Sequence, residues 1–92
     1  MGDLEIEVPT SHPSMAEARP GLDAALAAEF PGGMLRRHWE GDVLVLSGPG
    51  ASGAIVHAEG RLVGRAELSP PASLMRAVIE KKIGAALKKA AG

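Results

Sequence analysis

Between residues 34 and 68 the chain is cut every few residues by a glycine-bearing turn, at Gly41-Asp42, Gly48-Pro49-Gly50 and Glu59-Gly60. A parallel crossover needs about a dozen residues or more, so segments joined by turns this short must lie antiparallel to their neighbours. Four strands are predicted here: Met34 to Glu40, Val43 to Leu46, Ala54 to Ala58 and Arg61 to Leu68. The last alternates cleanly, with Leu62, Gly64, Ala66 and Leu68 against Arg61, Val63, Arg65 and Glu67. Val43 to Leu46 is apolar on both sides. The stretch Gly48 to Gly53 reads as a hairpin loop. It lacks the lysine-hydroxyl ending of a phosphate loop, and a strand rather than a helix N-terminus follows it.

Leu4, Ile6 and Val8 alternate with Glu5 and Glu7, which predicts a first strand over 4–8, ended by Pro9. Ser14 and Glu17 then have capping-box spacing. Met15, Ala18, Leu22, Ala25 and Leu26 recur at helical spacing on both sides of Pro20, which favours one helix over 14–29, bent at the proline, over a turn followed by a helix from 22. Pro31-Gly32-Gly33 stops it. Near the other end, Ser69 is placed to cap and Pro70 to open a helix over 71–90. Its inward stripe reads Met75, Ile79, Ile83, Ala86 and Ala90, widened by Leu74, Val78 and Leu87. The expected fold is α+β in one domain over residues 1–92: a five-stranded antiparallel sheet with two helices on one face, in the order β-α-β-β-β-β-α. No repeated strand-helix-strand crossover is present, which excludes a dinucleotide-binding fold.

Ten basic residues balance eleven acidic ones for a formal net charge of -1, which argues against a bulk polyanion binder. The balance hides an asymmetry: residues 1–60 carry -6 and residues 61–92 carry +5. The two ends are therefore expected to answer each other within the fold. There is no cysteine, so thiolate chemistry and disulfides are excluded. Phe30 and Trp39 are the only aromatic residues, so the core is expected to be aliphatic. The acidic start, with Asp3, Glu5 and Glu7, is unlike a secretory signal, and the apolar runs are far short of a membrane span, which leaves a cytoplasmic location as the expectation.

His12, His38 and His57 are at no spacing that places metal ligands locally, although His38 and His57 could meet across strands. His12 lies just before the first helix, where a contact with its orphan amides is a stronger reading than catalysis. No serine sits in a nucleophile elbow. Trp39-Glu40-Gly41-Asp42 joins an aromatic ring to an acidic turn, and two readings are open: a plug at the centre of the core, or an exposed platform. Lys81, Lys82, Lys88 and Lys89 fall on one flank of the last helix, either as a solvated face or as a surface for an anionic partner. His12, Trp39, Asp42 and these four lysines are the candidate surface- or partner-binding residues. No catalytic or metal-ligating residue is assigned, and no cofactor is expected. With one tryptophan and no tyrosine the sheet lacks the aromatic display of RNA-stacking folds, so no nucleic-acid partner is expected.

Several pieces, in order, resemble one family: His12 ahead of a helix with Glu17-Ala18, then Trp39-Glu40-Gly41-Asp42-x-Leu44, Ser47-Gly48 and Gly50-x-x-Gly53-x-Ile55. Leu62 to Leu68 and a long helix with Ile79, Ile83 and Leu87 complete the pattern. Over about residues 4–90 the chain resembles the polyhydroxyalkanoic acid system proteins, small bacterial proteins associated with polyhydroxyalkanoate storage. Pro20 and the segment 31–34 depart from the pattern. The resemblance implies a non-enzymatic accessory protein that binds the granule surface or a partner protein, and it carries over no catalytic residue. Two other readings stand beside it. One is a small acyl carrier, with its ligand between the sheet and the last helix in a pocket near Trp39, for which so short a chain has little volume. The other is a structural module that dimerises through the open sheet face, where Val63 with Leu44 or Leu46 would form an apolar patch.

Overall fold

A computed structural model of the chain describes residues 2–31, 35–70 and 72–91. The elements are β1 (Gly2–Pro9), α1 (Met15–Glu29), β2 (Arg36–Glu40), β3 (Val43–Gly48), β4 (Ala51–Ala58), β5 (Arg61–Leu68), a short 3-10 turn (Ala72–Met75) and α2 (Arg76–Ala90). The strands form one antiparallel sheet in the order β1-β5-β4-β3-β2. Strands β2 to β5 are a meander, as the short turns require, and β1 closes on β5 at the far edge.

Several boundaries differ from those expected. β4 begins at Ala51 rather than Ala54, because Ala51, Ser52 and Gly53 pair with β3 on one side and β5 on the other. The loop between β3 and β4 is thereby only Pro49-Gly50. β1 runs on through Pro9, opposite Arg61, at a sheet edge where a missing N–H costs little. Met34, the Gly32-Gly33 stop and Pro71 fall outside the described residues. At the β4–β5 turn both Glu59 (φ 50) and Gly60 (φ 75) are left-handed, as a two-residue I′ hairpin requires. Glu59 is the costly member of that pair, since a Cβ is disfavoured there and asparagine tolerates it better. Glu59→Asn is expected to stabilise the fold by about 0.5 kcal/mol, read as a higher denaturation midpoint.

Helix α1 is continuous through Pro20. The proline is exposed, and the buried residues Met15, Ala18, Leu22, Ala25 and Leu26 lie on both sides of it, so burial outweighs the lost hydrogen bond. Ser14 occupies the N-cap position with extended backbone, but its side chain makes no capping bond, so the expected capping box does not form. Ser69 also departs from expectation. Its hydroxyl and its N–H both turn to the carbonyl of Gly50, at 3.4 and 2.7 Å, and α2 starts only after the 3-10 turn, with Met75 as its N-cap.

The two helices lie side by side on one face of the sheet and run antiparallel. Gly21 of α1 meets Ala90 of α2, and the carbonyl of Glu29, further along α1, meets Lys82, further back along α2. The core between helices and sheet is aliphatic, as composition demands: Leu22, Leu26, Leu44, Ile55, Leu62 and Leu87 are its largest fully buried side chains. Leu44 and Leu46 belong to this covered face, not to an open-face patch. Strand alternation places Val43, Val45, Val56 and Val63 opposite, on the uncovered face, each half-buried. There Glu5 pairs with Arg65 at 2.6 Å and Glu7 with Arg61 at 2.9 Å, while Lys89 reaches Glu29 at 3.6 Å. The acidic first part and basic last part of the chain thus meet.

Candidate functional site

Helix α2 covers the sheet unevenly. Its second half is buried through Ile83, Ala86, Leu87 and Ala90. Its first half and the preceding turn stand away from the sheet: Leu74 is 83% exposed, Met75 55% and Val78 44%. The predicted inward stripe is therefore correct from Ile83 onward and wrong at Met75, with Ile79 half-buried between the two regimes. The physical reason is the 3-10 turn, which shifts the angular phase of residues 72–75 relative to the helix that follows.

The gap under this raised end is an apolar groove of about 370 Å³, bounded by the end of α1, the β3–β4 hairpin, β5 and the first half of α2. Leu35, Leu46, Ala66, Leu68, Ile79 and Ile83 form its walls. Charged side chains enter at Glu29 and Lys82. Lys82 donates to the Glu29 carbonyl at 3.0 Å and lies 5.9 Å from the Phe30 ring centre, and Lys89 pairs with the Glu29 carboxylate. The acyl-carrier reading places its ligand between the sheet and the last helix, near Trp39. The groove does lie between those two elements, but at the opposite end of the helix layer from His12 and His57, and its lining does not include Trp39.

The seven candidate residues do not converge. Trp39 is half-buried on edge strand β2, on the helix-covered face, and is not the central plug. Its indole N–H donates to both carboxylate oxygens of Asp23, at 3.2 and 3.3 Å, and Arg19 lies 4.5 Å over its ring. Arg37 reaches the same carboxylate at 3.7 Å. This cluster ties α1 to the sheet edge, so Asp23→Ala is expected to cost about 1–2 kcal/mol in a denaturant titration, since it strips the Trp39 indole N–H of its acceptor and Arg37 of its ion-pair partner. Asp42 sits exposed in the β2–β3 turn.

His12 is held by its backbone. Its N–H donates to the Thr10 hydroxyl at 3.1 Å, and its carbonyl accepts from His57 Nε2 at 2.9 Å. Thr10 and Ser11 in turn donate to the Ala91 carbonyl, which satisfies the end of α2. The expected contact of His12 with the α1 amides is replaced by this stitch between the β1–α1 loop and α2. His38 pairs with Glu40 at 2.9 Å on the uncovered face, while His57 faces the helices, so the two cannot meet across strands. Among the described residues no three histidine, aspartate or glutamate side chains gather closely enough to hold a metal ion.

The lysines divide into two pairs. Lys82, half-buried, and Lys89, exposed, are engaged with Glu29, whereas Lys81 and Lys88 are exposed and do not reach it. Sequence reasoning found the flank but not the division, which depends on where α1 ends. It missed the groove as well. The available signal was the cluster of small residues, Ala51, Gly53 and Ala66, opposite an over-wide apolar stripe in the last helix.

These features define a small α+β domain with one sheet face buried under two helices and an apolar groove left at one end of that layer. The chain belongs to the family described as "Putative polyhydroxyalkanoic acid system protein", whose model matches residues 6–90. No curated protein and no solved structure matches the chain. No helix among the described residues is long and apolar enough to cross a membrane.

Proposed function

We propose that this protein is a non-enzymatic accessory protein of polyhydroxyalkanoate storage that resides in the cytoplasm and docks on the granule surface through the raised end of α2. The observation that carries this is the exposed lip of Leu74, Met75 and Val78, which among the described residues are the large apolar side chains left exposed. Val78, Lys81, Ala85 and Lys88 recur three and four apart along one side of α2, so the lip continues into two exposed lysines. An apolar end followed by a basic one suits a hydrophobic surface with anionic groups at its boundary. The family membership supplies the polymer.

Co-sedimentation with washed granules tests the reading. Burial of one such side chain contributes about 1.5–3 kcal/mol. Half of that from each of two residues exceeds about a tenfold change in affinity, so Leu74→Ser with Val78→Ser is expected to lose most of the sedimenting fraction. Lys81→Gln with Lys88→Gln is expected to weaken attachment at low salt and to make little difference at high salt. Lys82 and Lys89 are left out because they hold Glu29. A wild type that stays in the supernatant at low salt, or an apolar double variant that sediments equally, refutes the reading.

A second reading rests on the uncovered sheet face, where Val43, Val45, Val56 and Val63 lie between the Glu5–Arg65 and Glu7–Arg61 pairs and the His38–Glu40 pair. Two copies stacked on these valines would bury them. Sedimentation equilibrium would then report a dimer that Val56→Lys dissociates, and a monomeric wild type would dismiss it.

A further inference from the structure

We infer that the groove beneath the raised end of α2 is a binding site for one linear aliphatic carboxylate, its tail along the groove and its carboxylate at Lys82. The groove's volume of about 370 Å³ is at the lower end of the range in which ligand pockets fall, about 300–1,000 Å³. That is room for a single flexible chain and too little for a bulky cofactor. Its walls are almost wholly aliphatic, and among the lining residues only Phe30 is aromatic, so a flat ring would find little to stack on. An alkyl chain needs neither hydrogen bonds nor stacking.

The polar end is assigned by charge. Lys82 is the only cation among the described residues that line the groove. Its ammonium carries three donors, and one goes to the Glu29 carbonyl at 3.0 Å. The single anion in the lining, Glu29, is matched by Lys89 at 3.6 Å, outside the groove's lining. Lys82 therefore brings the charge that an incoming carboxylate would meet, and its partial burial strengthens the attraction. The site is also accessible: Met75 and Val78, at the rim, are exposed, and the groove opens to solvent beside them.

Decanoate and decanol are the probes, titrated calorimetrically into the full chain below the concentration at which decanoate self-associates. One decanoate is expected per chain. Lys82→Met is expected to weaken decanoate about tenfold or more and to leave decanol nearly unchanged, since only the former loses a charge-assisted bond. Ala66→Leu, which narrows the groove from the β5 side, is expected to weaken both. Methyl spectra guard against variants that fold poorly: on the wild type, decanoate should shift Leu46, Ile79 and Ile83 and leave Val45 and Val56 on the opposite face unmoved. The inference does not rest on granule attachment, and Lys81→Gln with Lys88→Gln, weakened on granules, is expected to bind decanoate as the wild type does. No saturable binding, shifts confined to the valine face, or equal loss of decanoate and decanol on Lys82→Met would overturn it. So would a dimer in which a second copy's Leu74 fills the groove, seen as decanoate-insensitive self-association.

Discussion

Leu87→Ala is expected to lower the free energy of unfolding by about 2–5 kcal/mol, and towards the upper end of that range. Leu87 is fully buried on α2, and its Cδ1 lies 3.4 Å from the position that a Cβ on Gly64 would take. The leucine, with Ile55 and Ile83 beside it, thus fills the space that a glycine in the sheet leaves empty, and truncating it opens a cavity over bare backbone. A small domain of marginal stability, about 5–15 kcal/mol in total, would be largely unfolded by mild denaturant after such a loss. Ile79→Ala is the internal comparison. Ile79 is half-buried at the groove wall, so its truncation is expected to cost well under half as much. Urea titrations of the two variants measure the difference, and equal losses would mean that α2 does not sit on the sheet as described.

Gly53→Ala is expected to destabilise by about 1–3 kcal/mol, although it adds a single methyl group. A Cβ on Gly53 would lie 2.4 Å from the Arg65 carbonyl oxygen and 3.0 Å from Ala66, on a strand held by neighbours on both sides. Backbone atoms of paired strands cannot move aside as a flexible side chain would, so β4 and β5 must shift together. Gly84→Ala has the opposite sign. A Cβ there has nothing within 4 Å and the residue is inside a helix, so alanine is expected to stabilise by about 0.5–1 kcal/mol. Thermal denaturation of the pair gives one lowered and one raised midpoint. A neutral Gly53→Ala would show that the sheet has slack there.

The strands were legible because their turns are short and their apolar residues alternate. A strand of period two has only two faces, and burying one decides the direction of every side chain on it. The two-residue turns then leave antiparallel pairing as the only option. Helix α1 was legible through Pro20 for a similar reason, since the stripe of Met15, Ala18, Leu22 and Leu26 keeps its phase across the proline. The opposed charges of the two ends were legible as well, and Glu5 with Arg65 and Glu7 with Arg61 realise them.

The candidate site was less legible. Val78 and Ile83 are both apolar members of one broad stripe, and nothing local tells which of them meets the sheet. That depends on the 3-10 turn at Ala72–Met75, which the capping pattern at Ser69 did not announce because its hydroxyl is used by Gly50. Lys81 and Lys82 are likewise adjacent in sequence and equal in charge, yet only Lys82 finds the end of α1.

The amino-acid sequence by itself thus determined the sheet, the two helices, the aliphatic core and the family, because each follows from periodicity, turn length and residue type along short stretches. The tertiary structure alone decided which end of α2 is lifted, where the apolar groove opens and which lysines meet the end of α1. These depend on the angle at which one helix leaves a turn and on where another helix stops, and such distances between remote residues are not written in any local pattern.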